Sequence, residues 1–165
     1  MSKYQDLCQA YAVSRKAYMD YREASLTFTQ GLIQALMRYL EIPEGQVAFV
    51  PVNKEPDPEA IYPLAGAMHL EDDAYWHLGV VLNLGDPSGA CPPQAVLLKL
   101  LVKHREGAFG VRLGQDEEDI LIRPDFPQDM TEFLEHVFTA VKDSYEEGLQ
   151  QFLDHETTRK IGFGD

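Results

Sequence analysis

The chain has 165 residues, 45% of them hydrophobic, and a formal net charge of −13 at neutral pH. That length suits one domain with a full core, needing neither disulfides nor metal, and two cysteines in no paired spacing, Cys8 and Cys91, exclude a disulfide scaffold. The acid lies toward the C-terminal end, with +1 over residues 1–42, −4 over 43–114 and −10 over 115–165, so a basic footprint for nucleic acid is missing. No apolar run approaches the roughly 20 residues of a membrane span. With no leader pattern at the start, we expect a cytoplasmic protein with reduced thiols that binds neither membrane nor nucleic acid directly.

The first forty residues carry a stripe: Tyr4, Leu7, Tyr11, Tyr18, Tyr21, Phe28, Leu32, Ala35 and Tyr39, with Ser14 and Ser25 filling its two gaps. These positions step by alternating threes and fours, which lines up one face of a helix. The pattern predicts a long helix from about Tyr4 to Leu40, ended by Ile42-Pro43 and Gly45. Poor helix formers from Ser25 to Gly31 predict a kink or a break into two helices there. Buried phenols need hydrogen-bond partners, so a tyrosine-rich stripe suits a half-exposed surface better than a dry core. Two placements follow: packing on the chain's own sheet with hydroxyls at the rim, or an interface with a second copy or a partner helix. Tyr4, Tyr11, Tyr18 and Tyr21 are therefore candidate partner-binding residues.

Gln46 to Val52 alternates as a strand that Pro51 places near an edge or an end. Residues 53–65, rich in proline, read as a surface loop. Met68–Leu70 and Tyr75–Leu84 flank Glu71-Asp72-Asp73-Ala74, the signature of a hairpin with an acidic tip. On it, His69, Glu71 and Asp73 share one side. A three-residue turn sets His77 opposite His69, within reach of one divalent ion, whereas a two-residue turn puts the histidines out of register. A plain polar tip is the ordinary alternative. Trp76, the only tryptophan, is a binding anchor if exposed, or core if it points inward with Leu78.

After the turn-rich stretch from Gly85 to Pro93 the strands become regular: Val96, Leu98, Leu100 and Val102 face one way and Lys99 and Lys103 the other, Phe109, Val111 and Leu113 return, and Ile120 and Ile122 follow. This is an antiparallel meander. A last helix opens at Asp125-Phe126-Pro127-Gln128-Asp129 and carries its apolar stripe from Met130 to Phe152. Residues 157–165 have no period and are expected to form a flexible tail.

The predicted fold is α+β: one domain over residues 1–156, with an antiparallel meander of about five to six strands and a long helix from each terminus packed on one face. The order of elements and the acidic balance resemble small dimeric chaperones that hold extended segments of secreted proteins, a likeness of architecture that rests on no motif. Gly31, Gly79, Gly85 and Gly89 form no phosphate cradle, and no serine sits in a nucleophile elbow. Catalysis thus has no positive support, and no cofactor is expected. The functional expectation is a non-enzymatic, acidic, homodimeric protein-binding or chaperone-like module whose partner is another protein, a basic surface suiting the acidic end. The alternatives are a small-molecule binder or enzyme with a pocket between sheet and helices, and an acidic inhibitor that mimics nucleic acid.

Overall fold

The structure, a computed structural model, describes residues 2–146 and 158–163. Helix α1 (Lys3–Leu40) is sealed at its start by Ser2, whose hydroxyl accepts the Gln5 amide while the Gln5 side chain accepts the Ser2 amide. It ends at Glu41 in the left-handed region. The helix runs unbroken through Ser25 to Gly31, where a kink or a break into two helices was expected, so the break does not occur. Ser25 and Thr29 are fully buried, and their hydroxyls donate to the carbonyls of Tyr21 and Ser25 at 2.9 and 2.8 Å. Packing against the sheet overrides their weak helix propensity.

The other elements are β1 (Val47–Val50), the single turn α2 (Leu64–Ala67), β2 (His69–Leu70), β3 (Trp76–Leu84), β4 (Gln94–Arg105), β5 (Ala108–Leu113), β6 (Ile120–Ile122), α3 (Pro127–Glu146) and β7 (Thr158–Ile161). The sheet runs β1-β3-β4-β5-β6, with β2 beside β1 on β3 and β7 beside β5 on β4. The α+β architecture follows the sequence pattern: an antiparallel sheet with a long N-terminal helix and a C-terminal helix on one face.

Part of the expected tail is a strand, since Thr158–Ile161 pairs parallel to Ala95–Leu98. The twelve-residue β4 explains it. Its pairing with β5 begins only at Leu100, which leaves the start of that edge with unpaired backbone groups that β7 takes up. The Arg159 guanidinium fixes the register, donating to the Ser144 carbonyl at 2.7 Å and lying 4.1 Å over the Tyr145 ring. Just beyond, Gly162 lies so close to Gly114 that a Cβ on either would strike the other's backbone. The expected stripe positions Leu149 and Phe152 lie outside the described residues.

Trp76, Leu78, Val80 and Leu82 of β3, the alternate residues Val96 to Val102 of β4, and Val111 and Leu113 of β5 meet Leu32, Ile33 and Leu36 of α1 and Phe133, Leu134 and Val137 of α3 in one core. Only the second half of α1 takes part, for its buried residues begin at Ser25. The lengths explain this. Nine residues of β3 span about 30 Å, whereas 38 helical residues span about 57 Å. Even the twelve residues of β4, the longest strand, span only about 40 Å, so the helix outruns the sheet it lies on.

Candidate functional site

The uncovered half of α1 is an arm. Every residue from Ser2 to Asp20 is exposed, with Tyr4, Leu7 and Tyr11 at 72, 69 and 68% and Tyr18 at 38%. Packing on the chain's own sheet is thereby overturned for Tyr4, Tyr11 and Tyr18: the sheet ends before they begin. The Arg15 guanidinium lies 5.3 Å over the Tyr18 ring, and Lys16 pairs with Asp20 at 2.8 Å. Tyr21 stands at the boundary, half-buried, its ring 6.4 Å from Trp76 and 5.8 Å from His104. His104 stacks in turn on Phe109 at 4.6 Å, and Phe109 on Phe28 at 4.0 Å, so a run of rings fastens the helix where it first meets the sheet.

Trp76 is 4% exposed. It takes the inward option with Leu78, which corrects its candidacy as a binding anchor: the hairpin register turns its ring toward the helices. Among the aromatic candidates, only those of the arm are free to meet another molecule.

At the hairpin tip the Glu71 amide donates to the Tyr75 carbonyl, which leaves a three-residue turn, Asp72-Asp73-Ala74, with Ala74 at φ 67. This is the turn that sets His69 opposite His77, and their rings lie 5.8 Å apart. The four expected residues thus come together, but each imidazole meets its own carboxylate. His77 Nε2 is 2.9 Å from Asp73, and His69 Nε2 is 2.9 Å from Glu71 without hydrogen-bond alignment. Among the described residues no set of three or more His, Cys, Asp or Glu is placed to hold a metal ion.

Burial holds the His77 pKa below its ordinary value, outweighing the opposing pull of Asp73. For Asp73, burial pushes upward, but the Tyr75 amide, His77 and Arg112 together hold the carboxyl below its ordinary range. At neutral pH the pair is therefore a neutral imidazole whose Nε2–H donates to a carboxylate.

Beside this pair lies a network that sequence reading missed. The buried Tyr75 hydroxyl donates to Asp119 at 2.8 Å and accepts from Arg105 at 2.9 Å, while the Arg112 guanidinium lies 4.2 Å over the Tyr75 ring. Burial first, then the Asp119 carboxylate, push the phenol above its ordinary pKa. Tyr75 and Asp119 are 44 positions apart, and the only local signal was Arg112 on the outward side of its strand. Cys91, in the loop after β3, has its thiol pushed up by hydrogen bonding to Asp86, whose own carboxyl falls to about 2 through the Ser88 side chain and backbone. That is the reverse of what activates a nucleophile.

Two further features bear on function. A groove of about 900 Å³ opens between the end of α1, the end of β3 and α3, lined by Leu40, Ile42, Leu82, Leu84, Phe138 and Val141 among others. Early acids of α3 are engaged: Asp129 by Arg123 at 2.8 Å, and Glu135 by the Tyr39 hydroxyl. Among the described residues no helix is long and apolar enough to cross a membrane. Comparison of the chain with protein-family models, with curated proteins and with solved structures returns no match.

Proposed function

We propose that the protein is a non-enzymatic protein-binding module of the adaptor or chaperone-like kind, which meets another polypeptide through the arm of α1. One observation carries this reading: about half of the longest element presents a tyrosine-rich apolar stripe that the rest of the chain does not cover. Tyrosine suits such a surface, since it offers a large rigid contact area and a hydroxyl that tolerates water. The free thiols of Cys8 and Cys91, both exposed, agree with a reducing, cytoplasmic setting. The acidic C-terminal third favours a partner with a basic surface.

The test is capture from the protein's own cells with the wild-type chain and with a Tyr4→Ser/Tyr11→Ser/Tyr18→Ser variant that retains its circular dichroism. Polypeptides held by the first and released by the second are expected. Identical captures from both would end the reading. A second reading, a small-molecule binder, draws on the groove, whose volume lies in the range of ligand pockets. Its mark is a bound compound carried through native mass spectrometry and lost on Val141→Trp.

A further inference from the structure

We infer that the arm's partner is a second copy of this chain, bound antiparallel so that Tyr11 of one arm lies against Ser14 of the other. The inference rests on the protein-binding reading above and names the occupant of the same surface.

The stepping of the stripe accommodates an inverted copy, and the limit that the body sets on overlap selects the register that uses the whole arm. From Tyr4 through Leu7, Tyr11, Ser14 and Tyr18 to Tyr21 the steps are three, four, three, four, three. That series is the same read backwards, so an inverted copy matches it layer for layer. The layers are Tyr4 with the partner's Tyr21, Leu7 with the partner's Tyr18, and Tyr11 with the partner's Ser14, each occurring twice about the two-fold axis. The small residue at Ser14, a gap in the stripe when one helix is considered alone, becomes the room into which the opposite Tyr11 fits. The repeat of two positions in seven is also the one that holds a seam between two helices over several turns.

The structure limits how far the arms can overlap. Tyr21 already stacks near Trp76 and His104, and from Ser25 onward one face of the helix, with Thr29, Leu32, Ile33 and Leu36, is buried in the chain's own body. A longer overlap would drive one arm into its partner's body. In the stated register each arm ends where the other body begins, and the uncovered length is used in full. The flank agrees: Ala10 falls beside the partner's Ala17, so no bulk on that side holds the axes apart.

The area is of the right size. At the exposures given above, Tyr4, Leu7, Tyr11 and Tyr18 hold on the order of 400 Å² of uncovered side-chain surface. Lys3, Ala10, Arg15 and Ala17 flank the stripe and are exposed as well. Together they approach the roughly 800 Å² per partner of a stable interface.

Sedimentation of the purified chain across a dilution series reads the assembly, and a dimer is expected. Tyr11→Glu/Tyr18→Glu, which buries like charges across the seam, should weaken it by about 100-fold or more with circular dichroism preserved; Tyr11→Ser/Tyr18→Ser serves if the first variant does not fold. For direction, Tyr11→Cys and Ser14→Cys are made as separate chains, each also carrying Cys8→Ser and Cys91→Ser. Oxidation of the mixture should link the two chains far better than oxidation of either alone, since a disulfide needs Cα atoms within about 7 Å. If the Tyr11→Cys chain links to itself as well as the mixture does, the antiparallel register is overturned. A wild-type monomer at every concentration, or a dimer that neither tyrosine variant weakens, overturns the inference outright. A monomer whose arm still captures a different protein from cell extract does so too, while leaving the binding-module reading in place.

Discussion

Gly79 lies on the outward face of β3, two residues beyond His77, where β1 presses closest. A Cβ built there would lie 2.7 Å from Val50 Cγ2, 2.8 Å from the Val50 carbonyl oxygen and 2.9 Å from Val52 Cγ1. Carbon atoms rest at about 3.5–4.0 Å, so in Gly79→Ala the strand must retreat by roughly 1 Å. Rotating the Val50 side chain clears one of the three contacts; the carbonyl cannot rotate away. Strand β1 joins the sheet through its pairing with β3, from Val47↔Leu82 to Val50↔Gly79, and its Val47 and Phe49 pack against the core, so a retreat of the strand loosens both. Overpacking of this kind costs about 1–3 kcal/mol, and the entropic gain of replacing glycine returns about 0.4–1 kcal/mol. A net loss of about 1–2 kcal/mol is expected, read as a lower urea midpoint with an unchanged slope. Gly79→Ala/Val50→Ala should recover only part of it, because the carbonyl clash stays. A loss below about 0.5 kcal/mol in the single variant would show that β1 is not pressed against β3 as described.

Three other outcomes can be measured. His77 titrates below its ordinary 6.5 in the folded chain, so the unfolded chain takes up the proton first, and this group's contribution to stability declines as pH falls below about 6.5, by at most about 1.4 kcal/mol per pH unit. Asp73 adds a further loss only below the ordinary carboxylate range, and His77→Gln, facing the same Asp73, Glu71, Lys99 and His69, should flatten the first decline; an unaltered pH profile contradicts the assignment. Truncation before Thr158 uncovers the edge of β4 and removes Arg159 from α3, so thermal unfolding should show a loss of about 1–3 kcal/mol, whereas an unchanged midpoint means β7 adds nothing. Stoichiometric zinc should leave the melting temperature where it was, since His69 and His77 are each met by a carboxylate; a rise abolished by His69→Ala would reveal a site that rearranges to bind.

Much of the fold was legible because its elements are periodic over their own length. The alternation from Val96 to Val102 and the three-and-four stepping from Tyr4 to Tyr39 each report one apolar face, and with it a strand or a helix, without reference to the rest of the chain. What stayed hidden depends on distant neighbours. Whether Trp76 or Tyr75 points inward is a one-residue choice of register, decided by how β3 lies between β2 and β4. β7 exists because β5 leaves part of β4 unpaired, and no property of residues 158–161 alone announces that. The tyrosine stripe posed a third kind of ambiguity: a covered face and an uncovered one share the same spacing, and only the ratio of helix length to strand length separates them. The histidine pair was legible only as one of two alternatives, since the sequence left the turn at two or three residues, and the carboxylate that meets each ring was not legible.

The first turn of a helix is unfavourable to form, while each later residue adds to an end that already exists. In α1 the half from Ser25 onward is held by the sheet, so the arm extends a helix whose other end is already fixed. Its length is consequently free of the rest of the architecture. Inserting or deleting seven residues ahead of Tyr21 would change the reach of the chain by about 10 Å and keep the stripe in phase, with no core residue moved. Reach and fold are thus separate variables in this chain, and drift in the one carries no penalty in the other.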